Sequence, residues 1–290
     1  MINITVIGSG VMGREIAFVA AKCNYKVQLV DISEHALQIA ESTLELIAEK
    51  SIARSKMTEV ERALVVENLS YTTDIEAATE VADLIIEAVP EKVEIKKRVF
   101  ETISKVAKRS CIFVTNTSTI SPTEIASYGD RPEKTMAMHF FNPVHKMPLV
   151  EMIRGLETND ETVAAVKEVA ENMGKETVTV NEFPGFVTSR ISALVGNEAF
   201  YMLQEGLGTP EDIDKAIKLG LNYPMGPFEL VDLVGLDTRL NNLRYLHEKL
   251  GEKYRPAPLL EQFVKAGRLG RKSGRGVYDY KKEDVEAKKK

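Results

Sequence analysis

One histidine and one carboxylate are the best candidates for moving a proton. His139 lies in the alternating apolar run Thr135 to Phe140, which predicts a β-strand. The pair Asn142-Pro143 then predicts a turn, and a second strand-like run, Leu149 to Arg154, carries Glu151. Adjacent strands joined in this way can bring an imidazole and a carboxylate together, which fixes the tautomer and raises the basicity of the other ring nitrogen. The alternative is a structural histidine at a strand end.

A glycine-rich loop near the N-terminus has the spacing of a dinucleotide-binding turn. The apolar strand Ile2 to Ile7 leads into Gly8-Ser9-Gly10-Val11-Met12-Gly13, and a helix follows. In this pattern Gly8 permits the tight turn, Gly10 lets the backbone approach a pyrophosphate, and Gly13 lets helix and strand pack closely. The N–H groups at the start of the helix then face the phosphates. The loop therefore predicts a dinucleotide site.

The carboxylate after the second strand bears on which dinucleotide is bound. The predicted strand Lys26 to Val30 is followed by Asp31, eighteen residues beyond Gly13. A carboxylate at this point can accept hydrogen bonds from the adenosine ribose and would repel a 2′-phosphate. We therefore expect NAD rather than NADP. The alternative is an ordinary surface aspartate after a βαβ turn.

Strands and helices alternate through the first part of the chain. The next predicted strands are Leu69 to Thr73, Asp83 to Val89 and Cys111 to Thr115. A helix, Val93 to Lys108, is predicted between the last two. This rhythm predicts a Rossmann-type, mostly parallel α/β sheet with helices on both faces. Ligands bind beyond the carboxyl ends of such strands. Three candidate sequences lie there: Pro90-Glu91, Asn116-Thr117-Ser118, and His139.

A long segment between the second and third strands predicts an inserted helical hairpin. It runs from about Glu34 to Glu67, which is longer than a crossover requires. Thr58 can cap its second helix, with Glu61 completing a capping box. Three cations lie near the predicted tip, namely Lys50, Arg54 and Lys56. Together they could meet an anionic ligand, although each alone is equally consistent with a solvated surface.

The pattern changes near residue 183. After the predicted strand Thr177 to Phe183, Pro184-Gly185-Phe186 ends the sheet, and the sequence is helical to about Lys265. We therefore expect a nucleotide-binding domain over 1–183 and a smaller all-helical domain over 184–290. Broad apolar helix faces in the second domain favour a subunit interface, but an internal core explains them nearly as well. The charged tail 281–290 is predicted to be disordered.

Composition excludes several classes of protein. A chain of 290 residues with 44% hydrophobic and 28% charged residues is ordinary for a soluble protein. Its net charge of -5 argues against a general nucleic-acid binder. No signal peptide and no membrane-spanning run is recognised. The two cysteines, Cys23 and Cys111, fit reduced thiols in the cytoplasm, and no metal site is expected.

Taken in order, these motifs resemble those of the L-3-hydroxyacyl-CoA dehydrogenases, especially the short bacterial enzymes acting on 3-hydroxybutyryl-CoA. The resemblance covers essentially the whole chain. Besides the glycine loop with Asp31, it rests on Glu87-Ala88-Val89-Pro90-Glu91, Asn116-Thr117-Ser118, His139-Phe140-Phe141-Asn142-Pro143, Glu151, Pro184-Gly185-Phe186, Pro224-Met225-Gly226-Pro227-Phe228-Glu229-Leu230 and the run from Gly270 to Tyr278.

The resemblance implies a reaction and roles for individual residues. The reaction is the reversible oxidation of an (S)-3-hydroxyacyl-CoA by NAD, with His139 as the catalytic base and Glu151 as its partner. Ser118 and Asn142 are implied near the substrate oxygen and the nicotinamide. The residues implied near the cofactor are Glu91, Lys96 and Lys272. A homodimer built through the helical domain is implied as well.

One position departs from the family pattern. Thr188-Ser189-Arg190 stands where the family usually has Asn before the arginine. The shorter Ser189 offers no amide, so it reaches the substrate through a water or the contact is missing, which leaves the acyl-end preference open. The phosphates of coenzyme A give the hairpin cations Lys50, Arg54 and Lys56 a possible ligand.

Two other functions remain open at this point. One is a related dehydrogenase that acts on a free hydroxy acid, and the hairpin cations argue mildly against it. The other is a non-enzymatic NAD-binding redox sensor, which would need the glycine loop but no histidine with an orienting carboxylate.

Overall fold

The computed structural model describes residues 2–280 of the chain. The tail predicted to be disordered, 281–290, lies outside the described residues. The chain divides into two compact units, Met1–Phe183 and Pro184–Lys290. Among residues 2–280, no helix is both long and apolar enough to cross a bilayer.

The first unit is built on one sheet of eight strands, in the order β3-β2-β1-β4-β5-β6-β7-β8. The strands are β1 Asn3–Ile7, β2 Lys26–Val30, β3 Leu69–Thr72, β4 Leu84–Glu87, β5 Ile112–Thr115, β6 Thr135–Phe140, β7 Leu149–Arg154 and β8 Glu176–Asn181. All neighbours pair in parallel except β6 and β7, which are antiparallel. The predicted Rossmann-type, mostly parallel sheet is confirmed.

Helices cover both faces of this sheet. They are α1 Val11–Lys22, α2 Glu34–Ala53, α3 Glu59–Asn68, α4 Ile75–Glu80, α5 Val93–Val106, α6 Pro122–Ala126 and α7 Asp160–Asn172. Consecutive strand residues point to opposite faces, so Val6 and Leu29 join one apolar core while Ile7 and Val30 join another. The first core takes α1, α2, α3 and α7, and the second takes α4, α5 and α6. Burial on both faces explains why these strands are continuous apolar runs.

Two helices occupy the segment predicted as a hairpin. Helix α2 begins at the cap Ser33 and ends at Ala53, and α3 begins after Thr58. The Thr58 hydroxyl accepts from the Glu61 amide at 3.1 Å, and the Glu61 carboxylate accepts from the Thr58 amide at 2.7 Å. This reciprocal cap stabilises the start of α3. The turn between the helices contains Ser55 with φ of +54°.

The second unit is helical. Its helices are α8 Thr188–Gln204, α9 Pro210–Gly220, α10 Pro227–Val234, α11 Leu236–Leu250 and α12 Pro258–Lys265. Phe200 packs edge-to-face against Phe228 and Phe263, with ring centroids 5.3 Å and 5.7 Å away. The buried carboxylate of Asp214 accepts from the Phe228 and Glu229 amides and so caps α10. The all-helical character predicted for this part of the chain is confirmed.

Candidate active site

The antiparallel pair of β6 and β7 brings the predicted histidine and carboxylate together. His139 and Glu151 are directly opposed in the strand register. His139 Nδ1 lies 2.7 Å from Glu151 Oε2. Glu151 is fully buried and His139 is 7% exposed. A carboxylate at this distance accepts a hydrogen bond from Nδ1, which favours the tautomer with the basic lone pair on Nε2.

Ser118 lies on the other side of the imidazole. Its Oγ is 3.3 Å from His139 Nε2. Ser118 is half-buried in the loop that follows β5, so its position depends on how that loop is held. The His139 ring also packs against Phe141, with ring centroids 4.7 Å apart. A hydroxyl group placed against Nε2 would therefore meet both a base and a second polar oxygen.

The turn that carries Ser118 is fastened to Glu91. Glu91 Oε1 accepts from the amides of Ser118, at 3.0 Å, and Thr119, at 3.2 Å, and from the hydroxyls of Thr117 and Thr119. Burial alone raises the pKa of Glu91, but the charge of Lys96 and these hydrogen bonds bring that pKa below its ordinary value. Glu91 is therefore an anion at neutral pH and orders the turn.

A buried ion pair supports Glu91 from behind. Lys96 Nζ lies 2.8 Å from Glu87 Oε1 and 3.2 Å from Glu91 Oε2. The Thr115 hydroxyl donates to Glu87 Oε2 at 2.6 Å. Lys96 and Glu87 are both fully buried. Lys96, expected near a cofactor, is therefore shielded from solvent and contacts Glu91 through its buried ammonium group.

The two asparagines at the strand ends take different positions. Asn116 Oδ1 accepts from the Phe140 amide at 3.1 Å, which ties the end of β5 to the end of β6. Asn142 is exposed and lies in the loop 141–148, which joins β6 to β7. The structure thus gathers Ser118, Asn116 and Asn142 around the carboxyl end of β6.

The glycine loop leaves room for a phosphate group. Gly8 has φ of +103°, and a Cβ there would lie 2.7 Å from the Ala88 carbonyl oxygen. A Cβ on Gly13 would lie 1.8 Å from the Gly8 carbonyl oxygen, so neither position tolerates a side chain. For a Cβ on Gly10, no described atom outside its chain neighbours lies within 4 Å. Helix α1 begins directly afterwards at Val11 and Met12, so this loop fits a dinucleotide pyrophosphate.

Asp31 is fixed beside the glycine loop. Its Oδ2 accepts from both the amide and the hydroxyl of Ser9 at 2.8 Å, and its Oδ1 accepts from the Ser33 amide at 3.1 Å. The carboxylate therefore stands at the end of β2 with a defined orientation. This position fits a ribose hydroxyl, which can donate to a carboxylate.

The remaining predicted residues belong to the helical hairpin and to the second unit. Lys50 is half-buried near the end of α2, and Arg54 and Lys56 are exposed in the hairpin turn. Ser189 and Lys272 belong to the second unit. Ser189 lies in the first turn of α8, and Lys272 Nζ pairs with Asp237 Oδ2 at 2.7 Å.

Glu87 is the main site-supporting residue that reasoning from the residues did not assign. The sequence does carry a signal for it. Glu87 ends an apolar strand that is buried throughout, four residues before Glu91 and nine before Lys96. A carboxylate in such a strand needs a cation or several donors nearby. Residues 2–280 contain no cluster of three or more His, Cys, Asp or Glu side chains arranged to hold a metal ion.

Two protein-family models match this chain. The model "3-hydroxyacyl-CoA dehydrogenase, NAD binding domain" matches residues 3–183. The chain belongs to the 3-hydroxyacyl-CoA dehydrogenase family. The family's C-terminal domain model matches residues 185–280, so the two family domains span nearly the whole chain. The resemblance expected from the motifs is confirmed.

Individual members of the family are similar over nearly their full length. The chain is 44% identical to a probable 3-hydroxybutyryl-CoA dehydrogenase of Bacillus subtilis, over 97% of this chain and 98% of that protein. It is 41% identical to a 3-hydroxybutyryl-CoA dehydrogenase of Clostridioides difficile, over 97% and 100%. The crystal structure of (S)-3-hydroxybutyryl-CoA dehydrogenase from Ralstonia eutropha superposes with a TM-score of 0.93 at 41% identity, covering 97% of this chain and 99% of that one.

Proposed function

We propose that this chain catalyses the reversible, NAD-dependent oxidation of (S)-3-hydroxybutyryl-CoA to the corresponding 3-ketoacyl-CoA. The observation that carries the proposal is the imidazole of His139, held by buried Glu151 at 2.7 Å on Nδ1 and placed 3.3 Å from Ser118 on Nε2. The names of the relatives supply the substrate class. The family supplies the cofactor.

The chemistry assigned to the chain's own residues is a proton transfer. Oxidation of a secondary alcohol removes a proton from oxygen and a hydride from carbon, and NAD supplies the hydride acceptor. His139 Nε2 takes the proton as the hydride leaves, and Glu151 stabilises the imidazolium that forms. Ser118 Oγ orients the reacting oxygen toward Nε2. In the reverse direction the imidazolium donates its proton to the 3-keto oxygen.

All but one of the residues assigned to the cofactor belong to the first unit, at the carboxyl end of its sheet. The glycine loop and the first turn of α1 hold the phosphates, and Asp31 accepts from the ribose. Glu91, with Lys96 behind it, and Asn116 and Asn142 are assigned to the nicotinamide end. Lys272, which belongs to the second unit, is assigned to the cofactor from the family pattern.

The substrate and assembly assignments are further parts of the proposal. Lys50, Arg54 and Lys56 are assigned to the phosphates of coenzyme A, and Ser189 to the acyl end. The second unit is assigned to dimerisation and substrate binding, in a homodimeric cytoplasmic enzyme. Its exposed apolar side chains, among them Ile191 at 55% and Leu219 at 76%, support a subunit interface.

One assay tests the proposal against its alternatives. The protein is mixed with NAD and the CoA thioesters of (S)-3-hydroxy acids of increasing length, and NADH formation is followed. Matched controls are the (R)-thioester, free 3-hydroxybutyrate, and NADP in place of NAD. We expect turnover of the short (S)-thioester with NAD. Turnover of the free acid alone would instead favour a hydroxy-acid dehydrogenase, and NAD binding without any turnover would favour a sensor.

A further inference from the structure

A second histidine–carboxylate pair in the first unit has no part in the proton transfer described above. We propose that Glu15 and His145 are positioning residues, which fasten the loop 141–148 to the cofactor-binding helix α1. This inference rests on the proposed function. The loop joins the strand of His139 to the strand of Glu151 and carries Asn142. The pair would thereby couple the dinucleotide loop to the catalytic hairpin formed by β6, the loop 141–148 and β7.

Glu15 is an unusual residue for the buried face of a helix. It lies two residues beyond Gly13 in α1 and is 6% exposed, among buried neighbours such as Ile16 and Ala17. A carboxylate in such a position is costly unless its oxygens receive hydrogen bonds. Apolar residues would pack there without that cost. A partner for Glu15 is therefore required for the helix to pack, and that partner lies in the loop.

His145 supplies the hydrogen bonds. Glu15 Oε2 lies 2.8 Å from His145 Nδ1 and accepts a longer bond, 3.4 Å, from the His145 amide. Burial alone raises the pKa of Glu15, but the hydrogen bonds and the charge of His145 bring that pKa below its ordinary value. Glu15 is therefore ionised at neutral pH. It holds both the side chain and the backbone of one loop residue.

Lys175 also holds the loop 141–148, through its backbone carbonyl groups. Its Nζ donates to the carbonyl oxygens of Val144, at 2.5 Å, and Met147, at 2.9 Å. Lys175 immediately precedes β8 and is 8% exposed, and Val144 is 1% exposed. The loop is thus fixed at 144, 145 and 147, and each anchor is a buried charged group reaching it from another element.

The anchors matter because the rest of the loop is open to solvent. Asn142, Lys146 and Met147 are exposed, and the buried side chain of Val144 joins the loop to the apolar core of the first unit. The pairing of His139 with Glu151 is set by the strand ladder and does not need the anchor. Asn142 lies in the same loop, three residues before His145, so the Glu15–His145 contact is expected to set its position. We therefore expect loss of the anchor to displace Asn142 while the base keeps its partner.

The experiment combines steady-state kinetics with amide hydrogen exchange. Glu15→Ala, His145→Ala and the double variant are assayed with NAD and (S)-3-hydroxybutyryl-CoA. We expect each single variant to lower kcat by roughly 10-fold. A misplacement of about 1 Å typically lowers the rate by about 10²-fold, and the loop is expected to shift by only a fraction of that distance. The double variant should lose no more than either single one, because both remove the same contact. Glu15→Gln keeps an acceptor and should recover part of kcat.

Exchange in the loop separates positioning from a general loss of stability. Amides of residues 144–147 should exchange faster in Glu15→Ala, while those of β6 and β7 keep their protection. The matched control is Lys22→Ala, which removes the 3.1 Å pair between Lys22 at the end of the same helix and Glu61. It should leave kcat and the exchange of the loop unchanged.

Three outcomes would overturn the positioning role. The first is an unchanged kcat in Glu15→Ala. The second is a loss of kcat in the double variant that equals the product of the two single losses. The third is a lowered melting temperature with kcat and the exchange of the loop amides both unaltered. An inactive wild-type protein would overturn the proposed function instead. In that case the exchange of residues 144–147 still decides whether Glu15 anchors the loop.

Discussion

Two charged regions of the first unit differ in how firmly they are fixed. At the carboxyl end of the sheet, Lys96, Glu87 and Glu151 are fully buried. Lys96 Nζ lies 2.8 Å from Glu87 and 3.2 Å from Glu91, and Glu151 lies 2.7 Å from His139. At the tip of the helical hairpin, Arg54 and Lys56 are exposed. The ion pairs nearest that tip, such as Arg62 with Glu45 at 3.4 Å, involve side chains 35% and 62% exposed.

The difference follows from the cost of removing a charge from water. A buried charge is destabilising by several kcal/mol unless it is paired and hydrogen-bonded, so its partners are part of the fold. An exposed ion pair contributes only about 0–1 kcal/mol, so the fold leaves exposed cations nearly unconstrained. The buried network can therefore be interpreted from its geometry, whereas the hairpin cations acquire a role only through a ligand.

The largest effect is expected at the base itself. We expect His139→Ala to lower kcat by roughly 10²–10⁴-fold while NADH binding is retained, because only the proton acceptor is lost. The measurement is steady-state oxidation of (S)-3-hydroxybutyryl-CoA, with NADH affinity determined separately. His247→Ala is the matched control, since it removes a half-buried histidine of the second unit that pairs with Glu252 at 3.1 Å. Equal turnover in wild type and His139→Ala would remove the histidine from the mechanism.

Lys96→Met tests the buried network through stability. The variant leaves two carboxylates facing an apolar side chain, and breaking a buried pair in this way costs about 3–5 kcal/mol. Denaturant unfolding should show that loss. The neighbouring Lys97 is 51% exposed and pairs with Glu101 at 3.9 Å, so Lys97→Met should change the free energy of unfolding by about 0.5 kcal/mol or less. Adding Glu87→Gln to Lys96→Met should recover part of the loss. Equal losses for the Lys96 and Lys97 variants would contradict this view of the network.

Acid should reduce the contribution of Glu91 to the free energy of unfolding. Because the folded-state pKa of Glu91 is below its ordinary value, the stabilisation by its ionised form is present above the unfolded-state pKa of about 4.3 and is lost as the pH falls through the folded-state value. The difference in the free energy of unfolding between wild type and Glu91→Gln should therefore be constant near neutral pH and shrink below about pH 4.5. A difference that grows with acid would show that Glu91 is protonated in the folded protein.

Much of the fold was predictable because it depends on local pattern. Strands β2, β6 and β7 have the predicted limits, since apolar runs bounded by turn residues define them. The predicted strand Asp83 to Val89 is longer than β4, because the chain leaves the sheet at Ala88 and Val89 before the apolar run ends. The predicted strand Thr177 to Phe183 differs from β8, which begins at Glu176 and ends at Asn181. Helix α7 was not among the predicted elements. Its signal is present in the cap Asn159, but the segment is strongly polar on its exposed side.

The candidate site also contains both contacts that the sequence predicts and contacts that it does not. His139 and Glu151 could be placed together from two adjacent strands and a short loop. The contact of Lys96 with Glu87 could not, because it joins α5 to β4 through side-chain geometry that no local pattern encodes. Glu15 and His145 are 130 residues apart, so their pairing follows only from the packing of α1 against the loop 141–148. No motif or sequence spacing links Glu15 to His145.

The smallest effect is expected at the hairpin tip, where the sequence and the fold say least. We expect Lys50→Gln, Arg54→Gln and Lys56→Gln together to raise the KM for 3-hydroxybutyryl-CoA by about 3–10-fold at low salt, and by less as salt screens exposed charges. The matched substrate is the 3-hydroxybutyryl thioester of pantetheine, which lacks the phosphates and should give the same KM in wild type and variant. A change common to both thioesters would mean that the hairpin acts through the fold. No change for the CoA thioester would leave these cations as surface residues, fixed neither by the structure nor by a ligand.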